Sequence, residues 1–327
     1  MNFREDFVCQ SLLNLVSIDL TSIDFADDTF RITTATRTED LMLSIQQVGL
    51  LNPPILRKKN SGFQIISGFR RISACQNLGM CQLPARVVDA DMEKLQCVKL
   101  AIVENLLQRP LNLIEQSRSF YMLSEFYQDN QDLARASSEL GLPDNPSMIN
   151  KVIKICQFPR DIQNGVLSNT LSLSMALELE TLEKKEGSAL AILFEKLKMS
   201  LNKQREILTH IKEIAIRENI SIISLLTQSL LREIADDKDL DRSQKINKIR
   251  QYLQQRRFPE LTKAEKERDI KINQLQIGSH MKLIPPKNFE ASTYWLNLRF
   301  SSLEQLRENK ASLKKIIQNP MLKDILE

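Results

Sequence analysis

The residues with the most to offer chemically lie in Gly68-Phe-Arg-Arg-Ile-Ser-Ala74, just after a short apolar run at residues 63–66. A glycine at such a junction lets the backbone come close to a ligand. A helix that starts there presents unpaired N–H groups and the positive end of its dipole. Arg70 and Arg71 add two permanently charged guanidinium forks that suit phosphate oxygens. The pattern reads as a candidate phosphate loop, although a surface helix that begins Gly-x-Arg-Arg would look the same in isolation. Metal and thiol chemistry is poorly supplied. The five cysteines (Cys9, Cys75, Cys81, Cys97, Cys156) are scattered, none forms a C-x-x-C pair, and His210 and His280 are the only histidines. The ligand spacing of a zinc site is therefore missing, and the cysteines read as reduced, partly buried thiols. A further charged feature, Arg242–Arg257, holds six Lys/Arg and no acid. Such a stretch serves equally as a solvated helix face or as a neutraliser of phosphates.

The elements that must position these residues can be read from periodicity and punctuation. Residues 16–20 alternate as a strand does, and residues 39–48 carry Leu41, Met42, Ile45 and Val48 at helical spacing before Gly49, a natural helix stop. Residues 55–59 and 63–66, joined through Asn60-Ser-Gly62, form a predicted hairpin. A helix to Leu78-Gly79 follows Gly68, then a strand at 83–88 and helices at 93–106 and 112–127. From Asp129 the pattern is helical. A short amphipathic helix at 131–140 stops at Gly141, and Leu142-Pro-Asp144 makes a turn. Asn145 is a good N-cap and Pro146 a good first residue for a second helix running to about 157. Two short helices around a turn are the skeleton of a helix-turn-helix, a weak signal on its own because helical hairpins are common.

A chain of 327 residues has room for two or three domains. Few glycines and aromatics argue against a β-sandwich or a collagen-like chain, and abundant Leu, Ile, Lys, Glu and Gln favour helices. Residues 1–130 and 131–187 each carry a net −2, residues 188–280 carry +5 and residues 281–327 carry +3, so the positive charge lies in the C-terminal half. Two or three amphipathic helices are predicted over 188–235, with an acidic linker at 236–241. Two strands, at 281–284 and 293–300, then precede a helix from Ser302. The first ten residues lack the order of a signal peptide, and no apolar run approaches the roughly 20 residues that cross a bilayer. A soluble, cytoplasmic protein without membrane contact is expected.

Four stretches in order carry a resemblance. Gly49-Leu-Leu-Asn-Pro-Pro54, Gly68-Phe-Arg-Arg71, Glu104-Asn105 with Leu111-Asn-Leu-Ile-Glu115, and Phe158-Pro159 followed by Leu171-Ser172 together resemble the ParB family of partition proteins, over roughly residues 10–182. The resemblance implies a multidomain, predominantly α chain. It would comprise an α+β ParB-like nucleotide-binding domain at 1–128, an all-helical helix-turn-helix domain at 129–187, a helical region at 188–280 and a small β-β-α module at 281–327 for dimerisation. It implies CTP, or another nucleotide, with Mg2+, held by Gly49, Gly68, Arg70, Arg71, Glu104 and Asn105. Of these, Asn105 would ligate the ion and Glu104 would support it. It implies that Ser147, Met148, Asn150, Lys151 and Lys154 face the major groove of double-stranded DNA. In that arrangement Asn150 and Lys151 would read bases and Lys154 would contact a phosphate; Met148 serves equally as core.

The departures from the family pattern bear on turnover. The family has an acid where this chain has Phe69 and Gln where it has Asn52. A phenyl ring cannot polarise water, so the site is expected to bind nucleotide with doubtful hydrolysis, which leaves weak CTPase activity open. The family's arginine after Glu-Asn falls at Gln108, and Arg109 stands one residue late. The resemblance also implies a sequence-specific DNA-binding protein of chromosome or plasmid partition, a homodimeric DNA clamp switched by CTP binding at Gly68-Phe-Arg-Arg71, with a nucleoid-associated location and a ParA-type ATPase partner. Family members reach that partner through a basic N-terminal stretch, whereas residues 1–30 hold Arg4 as their only basic side chain. Two other readings stay open: a ParB-like transcription regulator without a clamp cycle, and a ParB-domain enzyme of nuclease or kinase type.

Overall fold

The computed structural model of the protein describes residues 14–275, 277, 280–286 and 293–326; Arg4 and Cys9 lie outside them. The chain forms two compact units, residues 1–204 and 205–327, with the boundary inside the helix Leu201–Glu218. The first unit is built on a five-stranded sheet in the order β1-β5-β3-β4-β2. Its strands are β1 (Asn14–Asp19), β2 (Ile23–Asp24), β3 (Ile55–Lys59), β4 (Gly62–Ser67) and β5 (Gln82–Val88). The predicted β3–β4 hairpin is present, and β5 lies parallel to β3 and antiparallel to β1. Gln64, Ile65, Ile66 and Ser67 are all buried, as befits a strand covered on both faces. Helices α1 (Glu39–Val48) and α2 (Phe69–Asn77) pack together, and Ile45, Leu56, Ile65, Ile72 and Leu83 share one core cluster. Gly49 closes α1 at φ 78°, the left-handed region where glycine is favoured.

The rest of this unit is helical: α3 (Lys94–Gln108), α4 (Leu113–Ser124), α5 (Asn130–Glu139), α6 (Pro146–Val152), α7 (Arg160–Leu167), α8 (Leu173–Glu180) and α9 (Lys184–Leu197). Asp129 caps α5 and Asn145 caps α6, accepting from the Met148 amide at 3.0 Å. The single helix expected over 145–157 is broken. After Val152 the chain turns and makes one 3-10 turn at Ile155–Gln157. The physical reason is Ser117 on α4. Its hydroxyl donates to the Ile153 carbonyl at 3.1 Å and accepts from the Cys156 amide at 2.9 Å. A side chain thus supplies partners that a continuous helix would have drawn from its own backbone. The break lets Ile155 and Phe158 both become buried.

The second unit contains most of α10 (Leu201–Glu218), followed by α11 (Ile222–Leu226), α12 (Ser229–Asp236), α13 (Arg242–Arg257) and α14 (Pro259–Gln274). Then come β6 (Met281–Ile284), β7 (Trp295–Leu298), α15 (Leu303–Ile317) and α16 (Pro320–Leu326). The acidic linker ends at Asp241, which forms a capping box with Gln244 at the head of α13. Neither expectation for the basic stretch describes α13 fully, because half its charge is engaged inside the unit. Arg250 pairs with Glu206 at 2.8 Å, Arg257 with Glu213 at 2.5 Å, and Arg256 with Glu218. The two C-terminal strands pair antiparallel, and Ser302 caps α15 as the pattern suggested. Trp295, Leu296, Leu298 and Phe300 are exposed along and just beyond β7.

One carboxylate ties the first unit together. Glu115, in the first turn of α4, is completely buried. It receives the Arg109 guanidinium through two contacts of 2.8 and 2.7 Å. It also accepts from the Thr34 amide at 2.9 Å, the Thr34 hydroxyl at 3.1 Å and the Asn112 amide at 3.1 Å. Burial alone would raise its pKa; the Arg109 fork and the Thr34 and Asn112 amides outweigh that and hold it below the ordinary value. A group depressed in the folded state contributes stability fully above its unfolded pKa of about 4.3, and loses that contribution as pH falls through the lower folded value. Glu115→Ala should therefore destabilise the protein by about 3 kcal/mol, at the low end for a broken buried pair because Arg109 is half solvated. Urea unfolding at pH 7 measures this, and the difference from the parent should shrink in acid.

Candidate functional site

The β4–α2 junction builds the cleft. Gly68 sits at φ 94°, in the left-handed region, and a Cβ there would lie 2.6 Å from Pro54 Cβ. Only glycine allows β4 to turn into α2 against the Pro53-Pro54 segment. The first turn of α2 then places Arg70 and Arg71 beside α3, and the resulting cleft of about 450 Å3 is lined by Gly68, Arg70, Arg71, Glu104 and Asn105 among others. Five of the six residues expected to bind nucleotide are thus brought together. Gly49 does not line that cleft, and its evident role is to end α1.

Each charged group in the cleft is held in place. Arg71 Nη2 meets Glu104 at 2.5 Å while Nη1 donates to the Asn52 carbonyl at 2.7 Å. Arg70 donates through Nε and Nη2 to the Arg37 carbonyl at 3.0 and 2.8 Å. Arginines anchored on backbone oxygens keep their charge and lose little further freedom when an anion arrives. Glu104 also accepts from Gln108 Nε2 at 2.6 Å and from the Ser67 hydroxyl. Asn105 donates Nδ2 to the Ala101 carbonyl at 2.8 Å, which leaves its Oδ1 without a partner among the described residues. Arg109 does line the cleft, one residue late in sequence, but its guanidinium is committed to Glu115. Phe69 points into the core and is 8% exposed, with the Arg31 guanidinium 5.5 Å from its ring centre.

Sequence reasoning missed Ser67, Gln108 and the carbonyls of Arg37 and Asn52. The serine and the glutamine could have been suspected from adjacency, Ser67 preceding Gly68 and Gln108 standing four residues after Glu104 on one helix face. The carbonyls could not, since any residue type supplies them. Among the described residues no group of three or more His, Cys, Asp or Glu could by itself hold a metal. The Cys75, Cys97 and Cys156 thiols are all pushed up by burial.

The second surface is the exposed side of α6. Ser147, Met148, Asn150, Lys151 and Lys154 are all exposed, whereas Ile149, Val152 and Ile155 are buried. The choice left open for Met148 falls on the solvent side, at 43% exposure. Lys154 lies beyond the end of α6, in the turn that Ser117 stabilises.

Residues 11–106 match the family model described as the ParB N-terminal domain. The chromosome-partitioning protein ParB of Myxococcus xanthus is 31% identical over 143 residues, covering 44% of this chain and 46% of that protein. A nucleoid occlusion protein of Bacillus cereus is 28% identical over 222 residues, covering 67% of this chain and 70% of that protein. The chain spans about half the length of the first curated relatives it matches. A C-terminally truncated Caulobacter crescentus ParB complexed with CTP-gamma-S aligns at 23% identity and TM-score 0.26, over 55% of this chain and 98% of that one. The same protein complexed to the centromeric parS site aligns at 18% identity and TM-score 0.32, over 58% and 96%. The N-terminal part of this chain is thus similar to the ParB N-terminal domain and to curated partition and nucleoid occlusion proteins.

Proposed function

We propose that this protein is a partition-type DNA-binding protein whose N-terminal cleft takes a nucleoside triphosphate, CTP in the first instance. The observation that carries this reading is the convergence of Gly68, Arg70, Arg71, Glu104 and Asn105 on one cleft within a ParB N-terminal domain. Arg70 and Arg71 bind the phosphate oxygens, and Gly68 lets them approach the backbone. Mg2+ fits this donor set only in company with the triphosphate. Asn105 Oδ1 is an unengaged side-chain oxygen in this cleft that could meet the ion, while Glu104 already serves Arg71, Ser67 and Gln108 and steadies the site. Such an ion characteristically takes one or two protein oxygens together with substrate phosphates, and supplies charge neutralisation there. Phe69 offers no proton acceptor, so binding is expected to outrun turnover.

DNA is bound through the exposed side of α6, with Asn150 and Lys151 at base edges and Lys154 on a phosphate. Met148 and Ser147 complete the surface. The exposed apolar β7, with Trp295 at 68% exposure, is the surface for homodimerisation, since an open strand of this character invites pairing. The protein acts at the nucleoid; a ParA-type ATPase fits the family reading, but no basic stretch among residues 1–30 supports it. Phe69 favours a second reading, a regulator with the same domains that binds DNA without a clamp cycle.

Arg71→Ala should abolish CTP binding by calorimetry with the far-ultraviolet dichroism unchanged; undiminished binding would remove the cleft from consideration. Lys154→Ala should weaken binding to all DNA sequences alike and lower the salt slope by about one, and a loss confined to one base pair in a binding-site scan would reassign the residue. Nuclease footprints with and without CTP separate the two readings. Protection spreading from one site supports the clamp, and a confined footprint supports the regulator.

A further inference from the structure

A second, larger cleft in the first unit adjoins the site described above at Thr33 but is lined by a different set of cations. It encloses about 910 Å3, and Arg31, Lys94, Arg118 and Arg160 supply its positive charge. Two of these cations are answered locally. Arg31 meets Asp28 at 3.0 Å, and Lys94 pairs with Glu125. The other two are not. Arg118, half-buried on α4, spends Nη1 on the carbonyls of Ile32 and Thr33 at 3.1 and 2.8 Å, and no carboxylate stands within ion-pair distance. Its remaining guanidinium nitrogens make no hydrogen bond among the described residues, yet are not sealed from solvent. Arg160, exposed at the start of α7, has no hydrogen-bond or ion-pair partner among the described residues.

The electrostatics sharpen the point. Burial, and next the nearby Arg31 charge, both push the Arg118 pKa down; Cys156, Glu115 and Asp28 oppose this more weakly. A desolvated guanidinium beside another is an unfavourable arrangement that the fold has built and fixed through two backbone carbonyls. An anion seated on Arg118 would relieve it, and a guanidinium fork suits a phosphate oxygen pair better than a spherical ion.

We propose that this cleft is a binding site for a small phosphate-type dianion, held by Arg118 from its wall and Arg160 from its rim. The charge balance sets the class. With the Asp28 and Glu125 pairs discounted, two uncompensated guanidinium groups remain, which match the two charges of a phosphate monoester or inorganic phosphate near neutral pH. Thr36 and Asn164 also line the cleft and can supply uncharged hydrogen bonds. The proposal does not rest on the nucleotide reading: Thr33 borders both clefts, but neither Arg118 nor Arg160 lines the first.

The test is binding of inorganic phosphate to the full chain at fixed ionic strength, followed by calorimetry for the parent, Arg118→Gln, Arg160→Gln and Arg71→Ala. Binding should persist in Arg71→Ala and fall about tenfold in each of the other two. Arg160 is exposed, so its variant keeps the test sound should Arg118→Gln fail to fold. Phosphate binding lost in Arg71→Ala and retained in Arg160→Gln would place the anion in the first cleft and overturn the proposal. So would the absence of saturable binding up to millimolar phosphate. Displacement of bound phosphate by duplex DNA of unrelated sequence, undone by Arg160→Gln, would identify the occupant as a backbone phosphate and overturn the reading as a small-ligand site.

Discussion

The buried carboxylate of Glu115 is the constraint on which the first unit depends. A charge wholly out of water is tolerable only when hydrogen bonds satisfy it, and here a guanidinium fork, two amides and a hydroxyl do so. The consequence is geometric. The Thr34 segment, the end of α3 and the head of α4 must all come to the same point. Two residues further along α4, Ser117 fixes the turn after α6. A single helix therefore carries, within one turn, the contacts that shape both the rim of the arginine-lined cleft and the end of the exposed α6 surface. Any movement that frees Arg109 from Glu115 would be felt at α4 first.

Under the nucleotide-binding reading, the first cleft would be a phosphate site prepared before its ligand arrives. Its arginines are not waiting loosely in solvent. Arg70 is tethered to the Arg37 carbonyl and Arg71 to the Asn52 carbonyl and Glu104. Those contacts hold side chains that would otherwise lose considerable rotamer freedom on binding. Glu104 also offsets part of the repulsion between neighbouring cations, so the site can persist empty without raising local strain. Gly68 makes the arrangement sterically feasible, because any side chain there would collide with Pro54.

Much of this fold was legible in the sequence because its punctuation is strong. Gly49, Gly62, Pro146, Asn145 and Ser302 mark ends that the structure respects. The α6 break was not legible, since it is caused by a hydroxyl 36 residues away from Ile153. Nor was the engagement of α13 with α10, which requires knowing which helices are neighbours; Arg250 and Glu206 stand 44 residues apart. The two-residue β2 is too short to leave a periodic signal, whereas α16 does carry a start signal in Asn319-Pro320, the same pair that opens α6, with Asn319 Oδ1 accepting from the Met321 amide at 3.0 Å. In the cleft the charged side chains could be named from their types. The backbone carbonyls that orient them could not, because every residue carries one.

The broken α6 also bears on how much a DNA sequence could be told apart. A helix of seven residues rises only about 10 Å, close to the length of three base pairs in B-form DNA. Under the DNA-binding reading, one copy would gather information from a very small window of the groove. Four bases taken three at a time recur throughout any genome, so recognition by a single chain would be nearly blind. Selectivity must then be assembled from repetition, two windows held at a set spacing by paired chains, with the spacing itself part of the message.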